Sequence, residues 1–196
     1  MLDFKLALSV LAAIITIIGF IPYFKDIFNK MTRPHIYTWL IWAMTQSTAT
    51  LALWYGGGSF AVLSLVTGTI LVILVFLLCF KYGTKNITRN DTLCLIIALF
   101  AVVAWWQLKN PFLSVFLVSA IDGLGYIPTY RKSWTEPWSE TLSYWALMAL
   151  TAFMTIVASA EYNFLTITYL SVLTLSNITV FTICYFRRKN IINPSV

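Results

Sequence analysis

The sequence predicts an all-α polytopic membrane protein, seven transmembrane helices arranged 3+1+3 as two parallel triple-helix-bundle repeats. Three observations predict it. Hydrophobic residues make up 60% of the 196-residue chain and charged residues 10%, too little polar material to cover a water-facing globule. Gly19-Phe-Ile-Pro-Tyr23 and Gly125-Tyr-Ile-Pro-Thr129 each end a long apolar run and lead into a short basic loop. The lysines and arginines fall in four clusters separated by pairs of apolar segments.

Bilayer-length segments need about 20 apolar residues each. Seven stretches supply them, roughly 5–24, 36–55, 59–81, 92–108, 111–130, 139–160 and 163–186. The first has a flank without net charge and no small-residue cleavage site, so it is read as a retained helix rather than a signal peptide. Its Gly19 and Pro22 reappear in the fifth segment as Gly125 and Pro128, at an offset of 106 that also pairs Thr16 with Asp122. An offset of 103 then pairs Pro34 with Pro137, Thr38 with Thr141 and Trp42 with Trp145, carrying the echo into the second and sixth segments. The fourth segment, ending at Trp105 and Trp106, has few polar residues and reads as a lipid-facing linker. The domains are therefore 1–85 and 111–196, joined by a linker helix in 86–110. Tyr55-Gly-Gly-Gly58 and Glu161-Tyr-Asn163 close the turns from the second to the third and from the sixth to the seventh segment.

Eleven of thirteen bases lie between segments one and two, three and four, five and six, or after seven, against Lys5 and Lys109 at the other face. The positive-inside rule then puts the N-terminus outside and the C-terminus in the cytoplasm, in a plasma or inner membrane. The net charge of +6 is read as topological, with no expectation of nucleic acid or of an anionic ligand. Cys79, Cys94 and Cys184 have neither metal nor redox spacing and read as small buried hydrophobes.

Asp122 is the one ionisable side chain well inside an apolar segment. Eleven residues past the start of its helix, it lies about 16 Å along it, near the bilayer centre. A charge there is costly and calls for a polar cavity, a partner or a proton. Its counterpart Thr16 cannot titrate. Asn177, midway in the seventh segment, and Gln46, in the second, offer amides that donate and accept at once, either to a solute or to a neighbouring helix. Trp42 and Trp145 either flank a central route, where flat apolar faces suit sugars or aromatic rings, or belong to the interfacial belt. The many intramembrane hydroxyls read mostly as bonds to the helix's own carbonyls. His35 reads as an interfacial polar group. Pro22 and Pro128 each remove a helix hydrogen bond near a segment end, and with Gly19 and Gly125 form a paired hinge or gate. No metal cluster, phosphate loop or nucleophile–base pair is visible, so neither catalysis nor a cofactor is expected.

The duplicated Gly-x-x-Pro elements and the repeat pattern resemble the SWEET and PQ-loop transporter superfamily along nearly the whole chain. Tyr23 and Thr129 stand where that signature has glutamine. The resemblance implies a transport-gate role for Pro22 and Pro128 and a substrate contact for Asn177. The partner asparagine of sugar carriers is replaced by threonines such as Thr67 and Thr69. Intramembrane acids of proton-coupled relatives make Asp122 a proton-carrying residue by analogy. The expected function is alternating-access transport of a small neutral or zwitterionic solute, such as a sugar, an amino acid or a vitamin. The expected partners are that solute, membrane lipid and, in the coupled variant, protons. The single chain is the expected unit, with homo-oligomer formation left open. The alternative is a non-transport membrane receptor or assembly protein of the same fold.

Overall fold

Apolar runs between proline- and glycine-marked loops form helices throughout the computed structural model, which describes residues 2–55, 61–107, 111–159, 162 and 164–192. The helices are α1 (Leu2–Phe28), α2 (Ile36–Tyr55), α3 (Ala61–Tyr82), α4 (Arg89–Trp106), α5 (Pro111–Thr135), α6 (Leu142–Ala158) and α7 (Phe164–Arg188), with one 3₁₀ turn at Pro137–Ser139 before α6. Gly56–Gly58, Lys109, Glu161 and Asn163 lie outside the described residues.

The expectation of seven transmembrane helices is corrected. Among the described residues, three helices are long and apolar enough to cross a membrane, in Phe4–Phe28, Leu65–Tyr82 and Ile167–Arg188. The others differ from these in length and composition. α6 has 17 residues. α4 spends its first turn on Arg89, Asn90 and Asp91. α2 carries Gln46 and several hydroxyls, and α5 carries Asp122 and the basic turn at Arg131 and Lys132.

The outer surface identifies an integral membrane protein. Leu11, Ile14, Ile18 and Ile21 on α1, Ile70, Leu74, Leu77 and Phe80 on α3, and Leu175 and Ile178 on α7 are all exposed. An apolar coat of that extent has no place on a water-soluble monomer.

The helices pack in a pattern that repeats. α3 packs against both α1 and α2, and α7 against both α5 and α6, while the backbones of α1 and α2, like those of α5 and α6, stay apart among the described residues and are bridged by rings such as Tyr23 with Trp39 and Tyr126 with Trp145. The two trios meet along two seams, α1 on α6 and α2 on α5. α4 lies against α5 and α2, so it covers one seam and not the other.

Glycine allows the close approach at each seam. A Cβ on Gly19 would stand 2.7 Å from Met148 Cε of α6, and one on Gly125 would stand 3.0 Å from both Ile41 Cγ2 and Trp42 Nε1 of α2. Pro22 and Pro128 lie inside α1 and α5, and both helices run on past them.

Candidate functional site

Between the trios, Phe20, Tyr23, Trp39, Trp42, Tyr126, Tyr144 and Trp145 form one buried aromatic layer. Ring centroids lie 4.4 Å apart for Trp42 and Tyr126, 4.3 Å for Tyr23 and Tyr144, and 6.1 Å for Trp42 and Trp145. Burial of Trp42 and Trp145 excludes the belt alternative for both, because an interfacial ring would keep an edge in contact with headgroups.

A cavity rests on this layer. It offers about 90 Å³ to the centres of water-sized molecules, room for several waters. Phe20, Trp42, Tyr126 and Tyr144 are its floor. Thr16, Gln46, Thr151, Thr155 and Asn177 provide its polar wall, and among the described residues no charged side chain lines it. The lining continues to Leu65 and Gly68 near the start of α3 and to Thr155 near the end of α6, so the cavity extends away from the basic loops.

The hydrogen bonds within the wall determine what it can still offer. Thr16 donates to Ala12 O at 2.9 Å, Thr151 to Met148 O at 3.1 Å and Thr155 to Thr151 O at 2.8 Å. The single proton of each hydroxyl is thereby spent, leaving acceptor lone pairs. Asn177 Nδ2 donates to Tyr126 Oη at 3.1 Å and to Leu173 O at 2.7 Å, which uses both amide hydrogens and leaves the carbonyl oxygen. Gln46 alone retains an amide with its donors uncommitted, its Oε1 facing the open space over Gly68. The cavity is thus rich in acceptors.

Asp122 is fully buried but stands behind this wall rather than in it. Its Oδ1 accepts from Thr45 Oγ1 at 2.7 Å and from Tyr169 Oη at 3.4 Å, and its main-chain oxygen accepts from Trp42 Nε1 at 3.3 Å. Its Oδ2 is buried without a partner. Tyr126, one turn further along α5, joins this group to Asn177. Trp145 does not line the cavity; its Nε1 donates to Glu140 Oε2 at 3.1 Å.

Of the residues singled out from the sequence, Thr16, Trp42, Gln46 and Asn177 meet in the cavity, and Asp122 and Trp145 buttress it. Gly19 and Gly125 lie at the seams. Pro22 lies within the aromatic layer, between Phe20 and Tyr23, and Pro128 two residues past Tyr126. Thr45 and Tyr169 escaped notice because one hydroxyl among many carries no local signal. Thr151 and Thr155, read as part of a general background of hydroxyls, were legible only as an i, i+4 pair on one face of α6.

The basic end is held together by polar contacts. Lys132 Nζ meets Glu140 Oε1 at 2.5 Å and donates to Arg33 O at 2.5 Å, with both ionic side chains buried. Arg131 grips Asp91 with two nitrogens, at 3.0 Å and 2.7 Å. Thr141 Oγ1 lies 2.7 Å from Thr32 Oγ1 and donates to Asp26 Oδ2 at 2.8 Å. Arg188 donates to the main-chain oxygens of Pro137 and Glu140. All four basic clusters thus gather at one end.

His35, expected at the interface, is 1% exposed, and its Nε2 stands 3.4 Å from Asp91 Oδ2 without hydrogen-bond geometry. Burial pushes its pKa down to about 4 despite the pull of Asp91, so the ring is neutral at pH 7. Burial opposes ionisation of Asp91 as well, but Arg131 and the Thr88 N–H together hold its carboxyl below the usual range.

Among the described residues no three His, Cys, Asp or Glu side chains converge as a metal site. No protein-family model matches the chain, and neither a curated protein nor a solved structure matches it. The resemblance to the SWEET and PQ-loop superfamily therefore rests on the sequence elements alone.

Proposed function

We propose that this membrane protein carries a small neutral or zwitterionic solute by alternating access between its two helix trios. The observation that carries the reading is the uncharged, acceptor-rich cavity between the trios, floored by aromatic rings. A solute rich in O–H or N–H donors would meet the oxygens of Thr16, Thr151, Thr155 and Asn177, with Gln46 supplying the reciprocal donor. The aromatic floor suits the apolar face of a sugar or a ring-bearing vitamin. The basic end would face the cytoplasm by the positive-inside rule, making the aromatic layer and the ionic contacts behind it an inner barrier. In this reading Pro22 and Pro128, at the aromatic layer and just past it, mark the parts of α1 and α5 that move, as the likeness to SWEET and PQ-loop carriers implies.

A screen of sugars, amino acids and vitamins for thermal stabilisation of the purified protein tests this directly. We expect a donor-rich hit whose affinity falls about tenfold or more in Gln46→Leu and Asn177→Leu, each losing a polar contact to the bound solute. That hit is also expected to move across proteoliposomes. A panel without any hit, together with absent flux, would return the fold to a receptor or assembly role.

Proton coupling is a second reading, supported by the partnerless Asp122 Oδ2. In that case Asp122→Asn abolishes gradient-driven accumulation but preserves exchange.

A further inference from the structure

A second concavity lies at the basic end. Lys30, Arg33, Lys81, Tyr82, Gly83 and Lys85 enclose about 510 Å³ open to the centres of water-sized molecules. Four cations face it, and among the described residues no acid lines it. All four are exposed, and among the described residues none of them forms an ion pair; Lys81 rests over the Tyr82 ring, its Nζ 5.3 Å from the centroid. Elsewhere at this end Arg131 and Lys132 are matched to Asp91 and Glu140.

The walls are built. Lys30 holds a left-handed backbone with φ of 60°, a conformation that costs a lysine and turns the α1–α2 loop sharply. Thr84 N donates to Pro34 O at 2.9 Å, tying that loop to the segment after α3. A Cβ at Gly83 would come within 2.4 Å of Cys79 O in the last turn of α3 and within 3.3 Å of Pro34 O in the facing loop, so the close approach here requires glycine. The two loops therefore present their bases as one unit.

An apolar surface adjoins the cations. Phe28 packs edge-on against Tyr82 at 5.6 Å and is 55% exposed, while Leu77, one turn before Lys81, and Phe80 beside it are also bare. A ligand that satisfies both features carries a phosphate at one end and hydrocarbon at the other. We propose that this crevice is a specific site for an anionic phospholipid, its headgroup phosphate held by Lys30, Arg33, Lys81 and Lys85 and its chains lying along α1 and α3. The excess of basic residues then has a ligand-binding role beyond setting topology. The site is independent of the solute cavity.

The test uses the full chain in neutral detergent, titrated with phosphatidylglycerol, with phosphatidylcholine of the same chains, or with inorganic phosphate, reading thermal stabilisation and lipid retained in native mass spectrometry. The triple variant Lys30→Gln, Arg33→Gln, Lys85→Gln is compared with Lys25→Gln, Arg89→Gln, Lys189→Gln, which removes the same charge elsewhere at this end. The phosphatidylglycerol concentration for half-stabilisation should rise about tenfold or more in the first and less than about twofold in the second. Equal losses in the two variants would replace the site with diffuse attraction. Equal response to phosphatidylcholine, or a full response to inorganic phosphate alone, would also overturn the assignment.

Discussion

The two seams between the trios use equivalent sequence positions for opposite purposes. At α2–α5, Thr45 and Trp42 both donate to Asp122, and α4 covers the contact. At α1–α6 the corresponding positions hold Met148, Trp145 and Thr16. Met148 has nothing to donate, Thr16 bonds its own helix at Ala12, and Trp145 turns to Glu140. At these central positions one seam is therefore latched by directional bonds and the other is an apolar contact around a flexible methionine, its polar bonds lying at the two ends, Lys5 Nζ to Ser159 O and Thr141 Oγ1 to Asp26 Oδ2. A pair of trios joined in this way has a fixed side and a yielding side, and a rocking motion would place its pivot at α2–α5.

The contrast extends to the basic end, where Asp26 and Lys132 are equivalents of opposite charge. Lys132 is buried in an ion pair, whereas the Asp26 carboxylate accepts from Thr141 at a half-buried position. The largest predicted effect follows from this. Lys132→Met strands Glu140 as a buried charge and should cost about 3–5 kcal/mol, read from unfolding in detergent. Asp26→Asn should cost about 1 kcal/mol or less. Lys132→Met with Glu140→Gln should recover most of the loss, since it removes the unpaired charge and retains an acceptor for Trp145. No recovery would mean that Lys132 acts by positioning Arg33 rather than by pairing.

The glycines sharpen the comparison at intermediate cost. Gly125→Ala pushes a methyl against Ile41 and a Trp42 ring hemmed in by Tyr126, Trp39 and Trp145, so it should cost about 1–3 kcal/mol. Gly19→Ala meets mainly the mobile end of Met148, and the gain in helix propensity of about 1 kcal/mol should offset the contact. Thermal unfolding of the pair decides it. Equal losses would show that the α1–α6 seam is as rigid as its counterpart.

Much of this asymmetry was hidden in the sequence, although its framework was legible. Gly19 with Gly125 and Trp42 with Trp145 could be matched because identical residue types recur at fixed offsets, and the structure puts both pairs at seams. Helix positions followed from apolar runs, but their capacity to span did not, because a run around Asp122 or Gln46 is judged by what the helix packs against. Asp122 was conspicuous as a charge in an apolar stretch. Its partners Thr45 and Tyr169 come from other helices and resemble any other hydroxyls. The bases were read through topology alone, which concealed that Lys132 is buried with Glu140 while Lys30, Arg33, Lys81 and Lys85 stand free of acids. Pairing across loops is a tertiary fact with no sequence period to announce it.

The smallest expected effect is the most direct measure of the latch. In a double-mutant cycle, Thr45→Val and Asp122→Leu should be coupled by about 1 kcal/mol or more, because the Thr45 hydroxyl and Asp122 Oδ1 are 2.7 Å apart and excluded from water. The equivalent cycle on the other seam, Thr16→Val with Met148→Leu, should be coupled by less than about 0.5 kcal/mol, since neither side chain hydrogen-bonds the other. Both cycles can be read from the same unfolding transition. If the proposed pivot is at α2–α5, Thr45→Val should also slow solute exchange more than Met148→Leu does, because a loosened pivot wastes motion that the yielding seam is built to absorb. Matching coupling energies on the two seams would remove the distinction between pivot and yielding side, whatever solute the cavity holds.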